Sequence, residues 1–180
     1  MSVFVVVSGK QYTLKGMIDY IFDDLGHNEL IIDSGYLYVT PFSTLEDMLL
    51  TKVIFNNMNG SEYEQIILSL DGYEYKIEPP IEEEYEYEHY RNASSMFREV
   101  AHVIFKHTNT QLVYAVHANT YNLHAHYVIN SVRKDNGLKI QLNKKALLDL
   151  KADINKVLEA RGFSRIKSRY DANNYYEITE

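Results

Sequence analysis

Three of the seven histidines of this 180-residue chain fall within ten positions, at His117, His124 and His126. A neutral histidine ring nitrogen is a good ligand for a divalent metal ion. Three such rings on one surface could hold an ion and leave coordination positions open for a substrate. A single histidine on a strand is more often just a satisfied or exposed side chain. Whether these three form a site therefore depends on the elements that position them.

The segment VYAVHANTYNLHAHYVINSV at 113–132 has the pattern of a β-hairpin. Side chains alternate between the two faces of a strand, so Val113, Ala115 and His117 share one face of the first strand. His124 and His126 are two residues apart and share one face of the second strand. The five residues ANTYN between them suit a hairpin loop. The simplest antiparallel register sets His117 opposite His124 and Ala115 opposite His126. Direct cross-strand neighbours lie ~5 Å apart and diagonal ones ~7–8 Å, so the three rings are predicted to converge.

Strand-like and helix-like patterns alternate along the rest of the chain. They predict strands at 3–7 and 65–70, a hairpin at 31–39 turning at DSG, and helices at 14–25, 43–60, 96–105 and 143–161. The acidic stretch EPPIEEEYEYEHY at 78–90 is predicted to be an exposed surface excursion. The length suits one domain, 1–180, of α+β class, with a central, mainly antiparallel β-sheet and flanking helices.

The composition narrows the classes of function. Cysteine is absent, which excludes disulfides, thiolate metal sites and cysteine nucleophiles, and favours a cytoplasmic location. No apolar run approaches the ~18 residues that span a membrane, so no membrane segment is expected.

Charge is distributed unequally along the chain. Residues 1–90 hold 4 Lys/Arg and 17 Asp/Glu, a net of −13, whereas residues 91–180 hold 14 and 8, a net of +6. Such asymmetry suggests two surfaces of opposite sign, although solvated loops and helix faces are the alternative. The basic half is the predicted DNA-binding surface, with the candidates Arg133, Lys134, Lys139, Lys144 and Lys145.

Several stretches resemble the mobilization relaxases of the MobA type, within the HUH endonuclease superfamily. HANTYNLHAHYVINSV follows their pattern His-x-Asp-x-x-x-x-His-x-His-apolar-apolar-x-Asn. LKGMIDYIFDD near the N-terminus is similar to the motif that carries their catalytic tyrosine. TKVIFNN and YEQIILSLDG, within 51–72, resemble the segment that leads to a serine-containing strand. The resemblance thus covers nearly the whole chain.

The resemblance implies nicking and religation of single-stranded DNA at a transfer origin, in plasmid or mobile-element mobilization. Tyr20 is then the catalytic nucleophile and forms a 5′-phosphotyrosyl intermediate. A helical wheel independently places Tyr20 away from the apolar stripe of its helix. Accessory mobilization proteins are the further partners expected.

The resemblance also implies that His117, His124 and His126 bind one divalent ion, magnesium or manganese. Three nitrogen ligands by themselves also suit zinc. Side chains behind the ligands are expected to orient them; the candidates are Asn119, Asn130 and Gln65.

The chain departs from the family pattern at Asn119, which replaces an aspartate, at Gln65 before the serine strand, and at Leu70, which replaces a phenylalanine. A lysine–threonine pair often found after the tyrosine motif has no match. Two alternative functions remain open. A rolling-circle replication initiator or transposase would use the same chemistry, but such relatives usually place the tyrosine after the histidines. The other alternative is a non-catalytic DNA- or protein-binding module that kept the fold.

Overall fold

The computed structural model describes residues 2–8, 12–22, 31–71, 83–118 and 122–166. In chain order the elements are β1 (Val3–Ser8), α1 (Leu14–Ile21), β2 (Ile31–Leu37), α2 (Thr44–Ile54), β3 (Tyr63–Ser69), α3 (Glu83–Thr108), β4 (Thr110–His117), β5 (His124–Arg133) and α4 (Lys144–Ala160). Every helix within these ranges is too short or too polar to cross a membrane.

The five strands form one sheet in the order β1-β3-β5-β4-β2, and every neighbouring pair is antiparallel. β4 is buried along its whole length, as expected of a strand that contains the apolar run LVYAV. The predicted α+β class, with a central antiparallel sheet and flanking helices, is confirmed.

The helices cover the sheet on both faces and create two apolar cores. Leu112 and Tyr114 of β4 point into the larger core, formed with α3 and α4. Val113 and Ala115 point into the smaller core, formed with α1 and α2. Because side chains alternate along a strand, His117 lies on the same face as Val113 and Ala115, the face that α1 packs against.

The hairpin between β4 and β5 has the predicted register. His117 pairs with His124, and Ala115 pairs with His126. On its other side β5 pairs with β3, which places Ser69 opposite His124. The three histidines therefore lie at one end and on one face of the central strands.

The predicted hairpin at 31–39 is wrong, because β2 continues through DSG as one edge strand paired with β4. Gly35 lacks a side chain where the Tyr114 ring crosses the strand, and a Cβ there would lie 2.3 Å from Tyr114 Cε1. The Asp33 carboxylate lies 3.4 Å from the guanidinium of Arg98. Asp33 and Gly35, which are residue types common in turns, are therefore explained by their contacts with α3 and β4.

Two helices end earlier than their patterns predict. α1 ends at Ile21, and Gly26, the expected stop, lies outside the described residues. α2 ends at Ile54, where Asn56 adopts a left-handed φ of 48°. The expected surface excursion at 78–90 is helical from Glu83 onward. Acidic residues are favoured near a helix N-terminus by the helix dipole.

α4 matches its prediction. The Asn143 side chain accepts a hydrogen bond from Ala146 N (3.0 Å) at its start, and Gly162 follows its end with φ 81°. It runs antiparallel to α3, since Asp153 lies 2.9 Å from His107 and Arg161 contacts Glu99. Its N-terminus consequently lies near the C-terminus of α3, at the sheet end where β4 begins.

Candidate metal centre and nucleophile

The helix that carries Tyr20 is fixed at its start by two side chains. Thr13 Oγ1 accepts a hydrogen bond from Gly16 N (3.1 Å), as an N-cap threonine should. The Glu62 carboxylate accepts a second from Leu14 N (2.6 Å). A negative charge at this position also complements the helix dipole. α1 is therefore held against the loop that precedes β3.

Tyr20 lies beside the histidines, in the last turn of α1. Its ring meets His126 edge-on, with centroids 5.7 Å apart and planes at 85°. Tyr12 stacks beside it, with centroids 6.2 Å apart and planes at 10°. The wheel places Tyr20 away from the core, but the ring is half-buried at the margin of the smaller core. The histidine end of the sheet supplies the surface against which it packs.

The three histidine rings converge as predicted from the hairpin register. Ring centroids are 5.4 Å apart for His117 and His124, 5.0 Å for His117 and His126, and 5.1 Å for His124 and His126. One nitrogen from each ring lies within 4.8 Å of the other two. His117 and His126 are buried, whereas His124 is half-buried and gives the cluster access to solvent.

One nitrogen of each ring lies beside a polar group of the protein, and one nitrogen of each ring belongs to the group of three that lie within 4.8 Å of one another. His117 Nε2 donates to the Ile21 carbonyl (2.8 Å), and its Nδ1 is buried. His124 Nδ1 donates to the Asn122 carbonyl (3.0 Å). Metal-binding histidines usually donate their second ring N–H to an oxygen in this way, which fixes tautomer and ring orientation. The donor set thus fits a divalent ion.

The third ring contacts the buried side chain of Gln65, whose amide nitrogen Nε2 lies 2.8 Å from His126 Nδ1. An ion on Nε2 of His126 requires the ring proton on Nδ1, and a 180° rotation of the Gln65 amide would then place its oxygen there as the acceptor. Gln65 was expected behind the ligands, and its side chain lies there.

Burial lowers the pKa of His126 to about 3, and the neighbouring His124 and His117 act in the same direction. The ring is therefore neutral at physiological pH, and its lone pair is available to a cation. Imidazole ligands carry no charge, so a bound ion would retain its full charge toward a phosphate.

The two asparagines expected behind the ligands are placed differently. Asn119 lies outside the described residues. Asn130 donates to the Met48 carbonyl (3.0 Å) and to Gln111 Oε1 (2.8 Å), contacts that are remote from the histidines along β5. Among the described contacts, Asn130 therefore supports α2 and β4 and no histidine.

The predicted DNA-binding residues lie at the sheet end opposite the histidines. Arg133 pairs with Thr110 at the start of β4, seven residues or about 23 Å from His117 at ~3.3 Å per residue. Lys144 and Lys145 begin α4 on the other face of the sheet. The structure does not bring these residues to the histidines, and their DNA contacts remain predictions.

Lys139 has a structural environment that its charge alone did not indicate. Its Nζ donates to the Ser61 carbonyl (2.9 Å) and to Ser131 Oγ (3.0 Å). Burial lowers the pKa of Lys139. The ammonium therefore joins the loop before β3 to the end of β5.

Two contributors to the site had no local sequence signal. Glu62, which caps α1, lies 48 positions from Leu14. The Ile21 carbonyl lies 96 positions from His117. Only the packing of α1 on the sheet creates these contacts, so composition and periodicity could not reveal them.

Comparison with known proteins agrees with this fold and site. Residues 20–163 match the family model of the relaxase nuclease domain, MobA/VirD2-like. A solved structure from work on the molecular basis of vancomycin resistance transfer in Staphylococcus aureus has a similar fold, with a TM-score of 0.58. Its sequence is 16% identical, and the alignment covers 97% of each chain. No curated protein matches the chain significantly.

The fold and the histidine cluster define a nuclease domain of the relaxase type. The family match covers most of the sequence, and the chain belongs to the MobA/VirD2-like relaxases. Membership supports a relaxase-type DNA-nicking function and binding of single-stranded DNA, and relaxases of this family depend on a metal ion. The histidine cluster is able to hold such an ion.

Proposed function

We propose that this protein is a metal-dependent strand transferase that nicks single-stranded DNA at a transfer origin and religates it. The setting is the mobilization of a plasmid or other mobile element, in the cytoplasm and together with accessory mobilization proteins. The observation that most supports this proposal is the contact between Tyr20 and His126, with ring centroids 5.7 Å apart. A nucleophile and a metal ligand so close could act on one phosphate.

The ion would be held by Nδ1 of His117 and by Nε2 of His124 and His126. When bound, a divalent cation polarises the scissile phosphate and offsets the charge that develops in the transition state. The Ile21 carbonyl keeps His117 in the tautomer that such ligation needs, and Gln65 would do the same for His126 with its amide oxygen turned toward Nδ1. Magnesium or manganese follows from the family resemblance, and zinc also suits nitrogen ligands.

The chemical step exchanges one phosphoester bond for another. The Tyr20 phenol oxygen attacks phosphorus, and the bond from phosphorus to the 3′ oxygen breaks. The phenol releases its proton to solvent, and the 3′ oxygen takes one up. The 5′ phosphate then remains on Tyr20, and religation reverses the same bonds. A phenol with an ordinary pKa of ~10 is a weak nucleophile at neutral pH. The positive charge of a bound ion would therefore be needed to stabilise the transition state.

The test is formation of a covalent adduct with oligonucleotides from the DNA that flanks the gene, in the presence of magnesium or manganese. The wild-type protein should give an adduct that survives denaturing electrophoresis. Tyr20→Phe should give none, because only the attacking oxygen is removed. Tyr12→Phe is the matched control: it keeps the ring stack and should still form the adduct.

Persistence of the adduct in Tyr20→Phe would show that another tyrosine is the nucleophile. Binding of the same oligonucleotides with no adduct from the wild-type protein would support the non-catalytic module instead.

A further inference from the structure

We propose a second DNA contact at the sheet end opposite the histidines, where a base of the single strand stacks on Tyr38. We call Tyr38, Phe105 and Lys134 the Tyr38 platform. This inference rests on the proposed function, since it takes single-stranded DNA as the substrate. It adds a contact remote from the nicking site, at which one base stacks on the aromatic ring and the adjoining phosphate lies near the cation.

The Tyr38 platform combines an exposed aromatic ring with a cation. The Tyr38 ring stacks on Phe105 of α3, with centroids 4.6 Å apart and planes at 21°. Lys134 Nζ lies 4.0 Å from the centroid of the Tyr38 ring. Tyr38 nevertheless remains 60% exposed as a residue, so it is accessible to a partner from solvent.

The backbone beneath the ring is held in an unusual conformation. Tyr38 has a φ of 60°, a left-handed value that residues other than glycine seldom adopt and that often marks functional sites. Its carbonyl accepts a hydrogen bond from Gln111 Nε2 (3.3 Å), which also donates to the Asp47 carbonyl (3.0 Å). Asn130 in turn donates to Gln111 Oε1.

This network gives a role to Asn130, which the family pattern led us to expect near the metal. Through Gln111 it fixes the backbone from which Tyr38 projects. Because the Tyr38 ring is largely exposed, it contributes little burial of apolar surface to offset the cost of the strained backbone. An exposed aromatic ring held in a fixed position is suited to stacking with a flat ligand such as a nucleotide base.

The chemistry of the Tyr38 platform fits a nucleotide. Single-stranded DNA binds through bases stacked on aromatic rings and through phosphates near cations, with little dependence on sequence. Arg133 adjoins Lys134 at the end of β5, and Lys106 is exposed in the last turn of α3 beside Phe105. The acidic residues nearby are Asp135, exposed in the turn that follows Lys134, and Asp47, whose carboxylate accepts a hydrogen bond from Thr40 N (3.2 Å). The three cations outnumber these two carboxylates.

The Tyr38 platform and the histidine site lie at opposite ends of the sheet. Leu37, next to Tyr38, pairs with Leu112, which lies five positions before His117. That span is about 17 Å along the strand. Tyr38 packs on Phe105 of α3, on the sheet face opposite the histidines, so a single strand that occupies both sites would have to pass around the edge formed by β2.

The absence of tryptophan from the chain allows a direct test. In Tyr38→Trp, a 20-nucleotide poly(dT) should quench the new indole fluorescence as a base stacks on it. Phe42→Trp is the control, since Phe42 is 98% exposed in the turn before α2 and lies outside the platform. Its fluorescence should change far less. Anisotropy of the same labelled oligonucleotide reports binding independently.

Substitutions test the affinity. Tyr38→Ala should weaken poly(dT) binding roughly 5- to 150-fold, the range for loss of one stacked base. Tyr38→Phe should stay within about twofold of the wild type, since stacking needs the ring alone. Lys134→Gln should flatten the log–log salt dependence by ~0.7 for one lost phosphate contact.

The outcomes separate this inference from the proposed function. An unquenched indole in Tyr38→Trp at saturating DNA, or wild-type affinity in Tyr38→Ala, overturns the Tyr38 platform and leaves the Tyr20 adduct unaffected. An adduct lost in Tyr20→Phe but formed by Tyr38→Trp with quenching supports both. Failure to bind any single-stranded DNA overturns both.

Discussion

At the scale of single residues, the proposed metal site depends on Gln65, whose side chain contacts the ring of His126. Gln65 is buried on β3 and lies 2.8 Å from Nδ1 of the ring. A ring held in this way presents Nε2 toward the other two histidines with little freedom to rotate. The order of the site therefore depends on an amide outside the histidine motif.

Gln65→Leu should lower the affinity for manganese by about 10- to 100-fold, as loss of such an orienting partner typically does. Gln65→Glu keeps an acceptor for the ring N–H and should bind at least as tightly as the wild type. Calorimetric titration measures both, with His124→Ala as the reference for a lost ligand. Wild-type affinity in Gln65→Leu would show that the amide does not orient a ligand.

At the scale of elements, the edge strand β2 shows how a composition typical of turns can serve packing. DSG at 33–35 lies within a continuous strand, where Gly35 makes room for the Tyr114 ring and Asp33 faces Arg98. Tyr114 is buried in the larger core, so Gly35 connects the sheet edge to the packing beneath α3.

Gly35→Ala should destabilise the protein by about 1–3 kcal/mol, the usual cost of forcing an extra carbon into a packed site. The new Cβ would meet the Tyr114 ring at 2.3 Å, and the buried ring has to shift. Urea unfolding measures the change. Ser34→Ala, on the exposed neighbour in the same strand, is the control and should be nearly neutral. Equal stability of both variants would contradict this role of Gly35.

A second element-scale contact joins α2 to the loop before β3 through a buried lysine. Lys52 is 2% exposed, and its Nζ donates to the Glu62 carbonyl. Burial lowers the pKa of Lys52 to about 8, with the charge of Lys139 acting in the same direction. Glu62 also caps α1, so Lys52 supports the helix that carries Tyr20.

The lowered pKa predicts a dependence of stability on pH. Between pH 8 and 10.5 the unfolded chain retains a proton on Lys52 that the folded protein has released, so the free energy of unfolding rises with pH. Relative to Lys52→Met, the wild type should gain about 2 kcal/mol between about pH 7.5 and 9.5. Urea unfolding at both pH values measures this difference. A difference that does not vary with pH would contradict the lowered pKa.

The sequence predicted contacts between residues close together in the chain better than contacts between distant residues. The β4–β5 register followed from alternation and loop length, which act locally, and it brought the three histidines together. The contacts of Gln65 with His126 and of Glu62 with Leu14 join residues 61 and 48 positions apart. The resemblance indicated Gln65, but nothing local indicated Glu62. The hairpin turn predicted at DSG was wrong because the same residue types also suit a packed edge strand.

At the scale of the whole molecule, both halves of the sequence contribute to the histidine end of the sheet, whereas the predicted DNA-binding residues at the opposite end come from the second half. The half with net charge −13 supplies Tyr20, and the half with +6 supplies the histidines and the basic residues at the opposite end. DNA that reaches Tyr20 would therefore be attracted mainly by cations about 20 Å away along the strands.

Affinity for single-stranded DNA should accordingly depend on salt despite the acidic net charge. Five to seven phosphate contacts would give a log–log slope of about −3.5 to −5. Lys144→Gln with Lys145→Gln should flatten it by between about one and two units if both lysines contact phosphate. Lys156→Gln is the control on the same helix, since Lys156 lies about three turns beyond Lys145 and, like Lys145 with Asp149, pairs with an aspartate at 2.6 Å. A slope unchanged by the double substitution would exclude the start of α4 from the DNA path.

The most direct test of the central claim is to identify the residue joined to DNA in the covalent complex. Trypsin separates Tyr12, in the peptide 11–15, from Tyr20, in the peptide 16–52, which also contains Tyr36 and Tyr38. After nuclease trimming, fragmentation by mass spectrometry should place the phosphate on Tyr20, and chelation of divalent ions before the reaction should abolish it. A phosphate on any other tyrosine, or an undiminished yield without divalent ions, would contradict metal-dependent attack by Tyr20.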